Sequence, residues 1–338
     1  MTLSKPHPRW TSIPLLLGLL SLLGGCGGHA KSGQIVLRVG DQMHMLETML
    51  KAAGEDEPGD GYSIEWSNFV GGPAVIAAQT GGSVDVGWMY ETPLVFAQAA
   101  GSPIKVIAAA RPVRPGTSTV ALVVSVDSPI HGVADLKGRS VGYQRGTVTQ
   151  YLLVRLLEQA GMSLTDVRSV NLTTLSSSLL QNGTMDAAVT VDPYLSQMLA
   201  DGKARILASG GEPLTPDLQY IVASNRVLED PSRAAALGDF ILRMSRSMRK
   251  REEDPDTEAP IYAKNLGLAV PIIAQYLKRA PTQFTPIGPD VVSAQQTLAD
   301  TFYKLGLVSK QIDAAQLFDH RYDELVAQDA SAAENAPP

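Results

Sequence analysis

Ser83-Val84-Asp85-Val86-Gly87-Trp88-Met89-Tyr90-Glu91-Thr92-Pro93-Leu94-Val95-Phe96-Ala97-Gln98-Ala99-Ala100 (residues 83–100) contains a complete structural unit. Val84 to Met89 is apolar and of strand length. Tyr90-Glu91-Thr92-Pro93 interrupts it with capping and turn residues, and Thr92 to Ala100 reads as a buried helix opened by a proline in its first turn. A strand that runs into Gly, Ser or Thr and then into a helix is the repeating half of an α/β sheet. The same device recurs at Val70-Gly71-Gly72-Pro73, Arg145-Gly146-Thr147-Val148-Thr149 and Val191-Asp192-Pro193-Tyr194.

Outward from this unit, apolar runs alternate with helical-period segments. A first series has strands at Ile35–Gly40, Tyr62–Phe69, Val84–Met89 and Ile104–Ala109, with helices near His44–Ala53, Pro73–Gln79 and Thr92–Ala100. A second has strands at Val120–Val126, Ser140–Tyr143, Ser169–Leu172, Met185–Val191 and Arg205–Ala208, with helices at Val148–Ala160, Thr174–Gln181 and Pro193–Ala200. Two series of similar order predict two pseudo-equivalent α/β lobes with mainly parallel sheets. Turn-rich passages at Arg111–Thr117 and Gly210–Pro216 are the candidate hinges, placing a cleft at the carboxyl ends of the strands. The expected boundaries are lobe I over 35–113, lobe II over 114–212, and a second, mostly helical part of lobe I over 213–325. That last part carries helices near Ser232–Lys250, Ala259–Gly267, Pro271–Lys278, Asp290–Leu305 and Ser309–Gln316, followed by a disordered tail at 326–338.

The chain has 338 residues and a formal net charge of −6, which leaves no electrostatic footprint for nucleic acid. The single cysteine, Cys26, excludes an intramolecular disulfide and a structural zinc site. Residues 1–25 contain Lys5 and Arg9 and no acid, then an apolar run from Ile13 to Leu23 broken by Pro14 and Gly18. This is the layout of a signal peptide, too short to span a bilayer. Leu23-Gly24-Gly25-Cys26 resembles the lipobox of bacterial lipoproteins, so Cys26 is the expected lipidation site and residues 26–34 the anchor and linker. Without Lys5 and Arg9 the mature chain is still acidic, so membrane attachment would rest on the acyl chains.

Catalytic patterns are absent. The five histidines have no metal-ligand spacing, and no GxSxG elbow or GxGxxG fingerprint occurs. Gly132 to Ser140 departs from a phosphate loop in its glycine spacing and in the position of its lysine. What remains is binding chemistry. Each strand-to-helix turn leaves backbone N–H groups unpaired at the positive end of a helix, able to hold an oxyanion with neutral donors. Taken singly, each turn is equally an ordinary N-cap or a proline at N1.

Gly71-Gly72-Pro73, Gly82-Ser83-Val84-Asp85-Val86-Gly87, Glu91-Thr92-Pro93 and Phe96-Ala97-Gln98-Ala99-Ala100-Gly101 resemble the aliphatic sulfonate-binding proteins of ABC importers. The likeness continues in Val133-Ala134-Asp135-Leu136-Lys137-Gly138, Asp192-Pro193-Tyr194 and Ala299-Asp300-Thr301-Phe302-Tyr303, and covers about Ile35 to Asp319. The resemblance implies a type II periplasmic-binding-protein fold of two α/β lobes joined by two crossover segments, a small-molecule ligand, an ABC permease as partner, a monomer, and no catalysis, cofactor or metal. Ligand contacts carried over from it are Asp41, Gln42, Gly72, Tyr90, Glu91, Thr92, Gly146, Thr147, Thr149, Asp192 and Tyr194. Gly40-Asp41-Gln42-Met43 departs from the family's Gly-Tyr-Gln-Lys, and Val191 replaces a tryptophan. Asp41, Glu91 and Asp192 facing one cleft would repel a small dianion, which favours a monoanionic, zwitterionic or largely neutral ligand. Trp88 and Met89 suit either an apolar wall of the cleft or the strand core. Alternatives are the same fold binding a thiamine-pyrimidine precursor or nitrate, and a desulfinase, which would need a cysteine nucleophile.

Overall fold

The first strand pair sets the frame. β1 (Ile35–Gln42) and β2 (Tyr62–Phe69) run parallel in continuous register from Ile35 opposite Tyr62 to Gln42 opposite Phe69. The computed structural model describes residues 35–58, 61–172, 180 and 182–334. The expected signal peptide, Cys26, the linker, the helix at Thr174–Gln181 apart from Leu180, and residues 335–338 lie outside them.

β3 (Val86–Tyr90) pairs parallel with β1, and β4 (Ile104–Pro112) lies two places further along the same sheet. The connecting helices are α1 (Met45–Ala53), α2 (Gly72–Thr80) and α3 (Thr92–Ala99). Between β3 and β4 sits β10 (Gln219–Ser224), antiparallel to both, and β11 (Thr282–Thr285) closes the edge against β4. The six-stranded order is β11-β4-β10-β3-β1-β2. The second sheet is β7-β6-β8-β5-β9, from β5 (Val120–Ser125), β6 (Ser140–Tyr143), β7 (Arg168–Asn171), β8 (Ala187–Val191) and β9 (Ala204–Ser209). Its helices are α4 (Val148–Gln159) and α5 (Tyr194–Ala200). The chain passes between sheets after Pro112 and returns after Ser209.

Both sheets are mixed, which corrects the expectation of mainly parallel ones: β5 is antiparallel to β8 and β9. β10 and β11 were not anticipated. Gln219 to Ser224 is a short run beside a turn-rich crossover, and its antiparallel direction follows from re-entering the first sheet from the far lobe.

Apolar burial explains why the layers hold. Leu37, Val39, Val86 and Ile221 face helices on one side of the first sheet, while Val75, Met89, Val106 and Tyr220 fill the other. Gly40 and Gly87 are cross-strand partners beneath α2. A Cβ at Gly87 would come within 2.5 Å of Val75 Cγ1, and one at Gly40 within 2.8 Å, so the paired glycines form the notch that seats α2 against the sheet. A third cluster joins the sheets: Tyr151 of α4 stacks on Phe302, with ring centroids 5.9 Å apart, and Phe96 of α3 meets the same ring edge-on.

After β10 come α6 (Asn225–Leu228), α7 (Pro231–Glu253), α8 (Pro255–Leu266), α9 (Val270–Arg279) and α10 (Pro289–Lys304). The helix expected at Ser309–Gln316 is only a 3-10 turn, Ala314–Leu317, whose Ala315 N–H is taken by Asp313 Oδ1. The tail expected to be disordered from residue 326 is instead α11 (Asp323–Glu334). Val326 is buried in the core beside α7, and Asp329 accepts hydrogen bonds from Ser245 and Arg249, so this segment has both apolar and polar anchors. Among the described residues no helix is long and apolar enough to cross a membrane.

Candidate functional site

A cavity of about 270 Å³ opens at the carboxyl ends of the strands and takes its walls from both sheets. Asp41, Gln42, Gly72, Tyr90, Thr147, Thr149, Asp192 and Tyr194 line it; Glu91, Thr92 and Gly146 do not.

Asp41 is fully buried at the turn from β1 into α1, where Met43 and His44 adopt left-handed φ of 56° and 55°. This corner folds the Asp41 carboxylate onto the start of its own helix. Gln42 N–H donates to Oδ1 at 2.6 Å, Leu46 N–H to Oδ1 at 3.0 Å and Glu47 N–H to Oδ2 at 3.0 Å. The amides that could have met a ligand oxyanion at α1 are therefore occupied by a side chain. Burial pushes the Asp41 carboxyl above its usual range, with the three amide donors working against that shift.

Next to it, Gln42 Nε2 donates to Trp88 O at 2.6 Å, and Trp88 Nε1 donates to Gln219 Oε1 at 2.8 Å. The second of these bonds holds the indole as a wall of the cavity, and the first ties Gln42 to the β3 backbone. Gly72 lies where α2 and α3 converge: a Cβ there would be 2.8 Å from Pro93 Cγ and 3.2 Å from Met89 Cβ. Tyr90 reaches across to the first crossover, its hydroxyl 2.5 Å from Thr119 Oγ1.

At the head of α4, Thr147 Oγ1 donates to Gln144 O at 2.8 Å and lies 2.8 Å from Thr149 Oγ1, which accepts the Gln144 N–H at 2.9 Å. The two hydroxyls form one patch beside Gln144. Gly146 belongs elsewhere: its N–H is spent on Gln150 Oε1 at 2.7 Å, and it borders the neighbouring groove along α2, α3 and α4.

Asp192 caps α5. Its Oδ1 accepts from Ser196 N–H at 2.9 Å and Ser196 Oγ at 2.7 Å, while Oδ2 is 2.8 Å from Arg279 Nε at the end of α9. Burial raises the Asp192 carboxyl, and Ser196 and Arg279 oppose the rise. Arg279 belongs to the helices that cover the first sheet, so this pair ties the two halves together.

Glu91 was expected in the cleft and is not there. Its carboxyl is fully buried behind β3 with no hydrogen-bond partner, and burial, with Asp217 nearby, pushes it well above the usual range. Burial without a partner favours its neutral form. Thr92 is buried with it. β3 ends at Tyr90, and Glu91 already takes helical backbone angles as the N-cap of α3, which turns its side chain away from the cavity. With Glu91 removed, Asp41 held by amides and Asp192 paired with Arg279, the triple-acid repulsion inferred from the sequence does not arise.

Sequence reasoning missed the wall built by the C-terminal helices: Met248 and Arg251 of α7, Tyr276 and Leu277 of α9, and Thr282 of β11. It also missed Met45 and Met49, whose spacing of four on α1 was the available sign of a shared face. Among the described residues no group of three or more His, Cys, Asp or Glu is arranged to hold a metal.

Two mixed α/β sheets thus share a cavity furnished with hydroxyls, amides and apolar walls. A family model described as NMT1/THI5 like matches residues 70–256. An Escherichia coli K12 protein named for aliphatic sulfonate binding is 32% identical over 305 residues, covering 89% of this chain and 93% of that one. The crystal structure of the periplasmic aliphatic sulphonate binding protein SsuA from Escherichia coli has a TM-score of 0.71 at 32% identity, over 84% of this chain and 92% of that chain. The alkanesulfonate-binding protein SsuA from Xanthomonas axonopodis pv. citri, bound to MOPS, has a TM-score of 0.75 at 27% identity, over 84% and 98%. The chain belongs to the NMT1/THI5-like family and to its aliphatic sulfonate-binding proteins; it has their periplasmic-binding-protein fold and is a substrate-binding protein rather than an enzyme.

Proposed function

We propose that this protein is an extracytoplasmic solute-binding lipoprotein of an ABC importer, anchored through Cys26, which captures a small sulfonate or related polar organosulfur compound between its lobes and delivers it to a membrane permease as a monomer. The observation that carries the reading is the cavity lined from both sheets, with the Thr147–Thr149 hydroxyl pair on one side and Gly72 on the other. Its volume of about 270 Å³ is at the small end of ligand pockets. The apolar share of its walls suits a compound with a hydrocarbon body and one polar head. Because Asp41 and Asp192 already have partners, a plain alkyl sulfonate is favoured over an aminoalkyl one.

Thermal-shift screening tests the ligand class, since a ligand at 100 times its Kd adds about 2.7 kcal/mol of stability. Alkyl sulfonates should raise the melting temperature. If they shift nothing while nitrate or a cationic pyrimidine does, the substrate class is wrong. The anchor is tested in membrane fractions: Cys26→Ser should release the protein, and an unchanged distribution would leave no role for the acyl chains.

Capture by closure gives Arg279 a role, because its bond to Asp192 forms only when α9 and α5 are together. Arg279→Met should weaken ligand binding about tenfold, some 1–2 kcal/mol, through faster release. Equal dissociation rates in calorimetric or stopped-flow binding would show that the pair contributes nothing to holding the closed state.

A further inference from the structure

We propose that Arg251 is the anion receptor of the cavity: its guanidinium takes the charged head of the ligand, and the methionines around it take the hydrocarbon. The assignment rests on the sulfonate reading above and names the residue that would recognise the head group.

Among the described residues that line the cavity, Arg251 is the only basic one. It lies in the last turn of α7 with its side chain 11% exposed, and it is held from behind. Nη2 donates to Glu252 Oε1 at 3.1 Å and to Thr282 Oγ1 at 3.1 Å, while Glu252 Oε1 also accepts the Thr282 N–H at 2.9 Å. These bonds set the plane of the guanidinium and use one edge of it. Of the other two nitrogens, Nη1 reaches Met49 Sδ at 4.0 Å, a weak thioether acceptor, and Nε has no hydrogen-bond partner, with the Tyr262 hydroxyl nearby. The two N–H groups of Nη1 on this permanently charged group thus make no hydrogen bond to oxygen, in a wall otherwise formed by Met49, Met248, Tyr276 and Leu277.

The other charges of the cavity cannot substitute. Asp41 and Asp192 are acids, and Arg279 is committed to Asp192. Glu252 offsets part of the charge of Arg251 without covering Nη1, and Glu258 lies close enough to act on it as well, so the site disfavours a dianion. An oxyanion with tetrahedral oxygens matches paired N–H donors in surroundings where water competes poorly. Unbranched, polarisable methionine side chains at Met43, Met45, Met49, Met89 and Met248 can repack around hydrocarbon bodies of different shape.

The test is calorimetric binding of hexanesulfonate and its neutral match, hexanesulfonamide, to the whole mature protein, to Arg251→Met and to Arg251→Lys. The wild type should prefer the sulfonate by at least tenfold. Arg251→Met should lose about a hundredfold in sulfonate affinity, down to the level of the sulfonamide, with the methionine wall still binding both. Arg251→Lys should retain part of the preference. A wild type that does not discriminate, or an Arg251→Met protein that binds sulfonate as tightly as the wild type, would overturn the assignment. If Arg251→Met does not fold, the wild-type preference together with Arg251→Lys decides. If the wild type binds neither compound, the sulfonate reading fails on its own. Monocarboxylates and nitrate then judge Arg251: Arg251-dependent binding of either upholds the receptor, and binding only of neutral or cationic compounds removes it.

Discussion

Asp85→Ala should cost about 3–5 kcal/mol of folding stability, the usual cost of breaking a buried ion pair from one side. Asp85 is fully buried, and its two oxygens accept from Arg38 N, Arg38 Nε, Arg38 Nη2, Arg226 Nη2 and Arg233 Nη1 at 2.6 to 3.3 Å. The three arginines also grip the carbonyls of Gly82 and Val36, so the carboxylate pins β1, β3 and the start of α7 to one another. Removing it leaves three cations facing one another, though each keeps some contact with water, which holds the loss to that range. Burial works to raise the carboxyl, but the Arg38 side chain and the other donors outweigh it and hold the carboxyl below the usual carboxylate range. A depressed pKa gives stability that is complete above the unfolded value near 4 and is lost as pH falls through the folded one. Denaturant unfolding at pH 7 and pH 3 should therefore show a large gap between wild type and Asp85→Ala at pH 7 that narrows in acid. A gap below about 1 kcal/mol at pH 7 would mean that the arginines re-solvate freely. Because Asp85 lies away from the cavity, ligand affinity per folded molecule should not change.

How much of this was legible in the sequence depends on how local each cause is. The strand-to-helix units could be read because the period of the apolar residues and the cap at the turn lie within one stretch, as at Tyr62–Phe69 and Val148–Gln159. Gly72, Thr147 and Thr149, carried over from the family resemblance, sit in such turns and line the cavity. Arg251 and Thr282 could not be. They reach the cavity because a 23-residue helix and an edge strand from the far end of the chain pack against β4 and α1, and no local pattern records that. Glu91 failed for a different reason. Its neighbourhood matched the family, but Glu91 is the N-cap of α3 with helical backbone angles and its carboxyl is buried in the core, which the match did not record. Asp41 lines the cavity, yet its carboxylate is turned onto α1, a consequence of the left-handed pair Met43–His44 that no composition rule would have flagged.

Asp217→Asn should make the protein more stable at neutral pH, by about 2–3 kcal/mol. Asp217 is buried in the second crossover at φ 48°, a left-handed conformation that asparagine adopts as readily as aspartate. Its Oδ1 accepts from Thr215 Oγ1 at 2.6 Å, a bond an asparagine oxygen can keep, while Oδ2 has no partner. Burial, with a smaller push from Glu212, moves the carboxyl up to about 6 from an ordinary value of 3.8, against the hydroxyls that favour its charged form. Between those values the folded state holds a proton that the unfolded chain has released, so stability falls as pH rises through the window and is lowest above about 6. A shift of that size corresponds to roughly 3 kcal/mol. Asp41, Glu91 and Asp192 are shifted in the same direction, so the wild-type slope alone does not isolate Asp217; the difference between wild type and Asp217→Asn does. That difference should be near zero at pH 4 and open to its full size by pH 7. Parallel curves would show that Asp217 ionises in the fold without cost, which would require water to reach Oδ2. This slope runs opposite to the acid loss at Asp85, so the crossover that joins the two sheets is tightest when its buried acid is neutral.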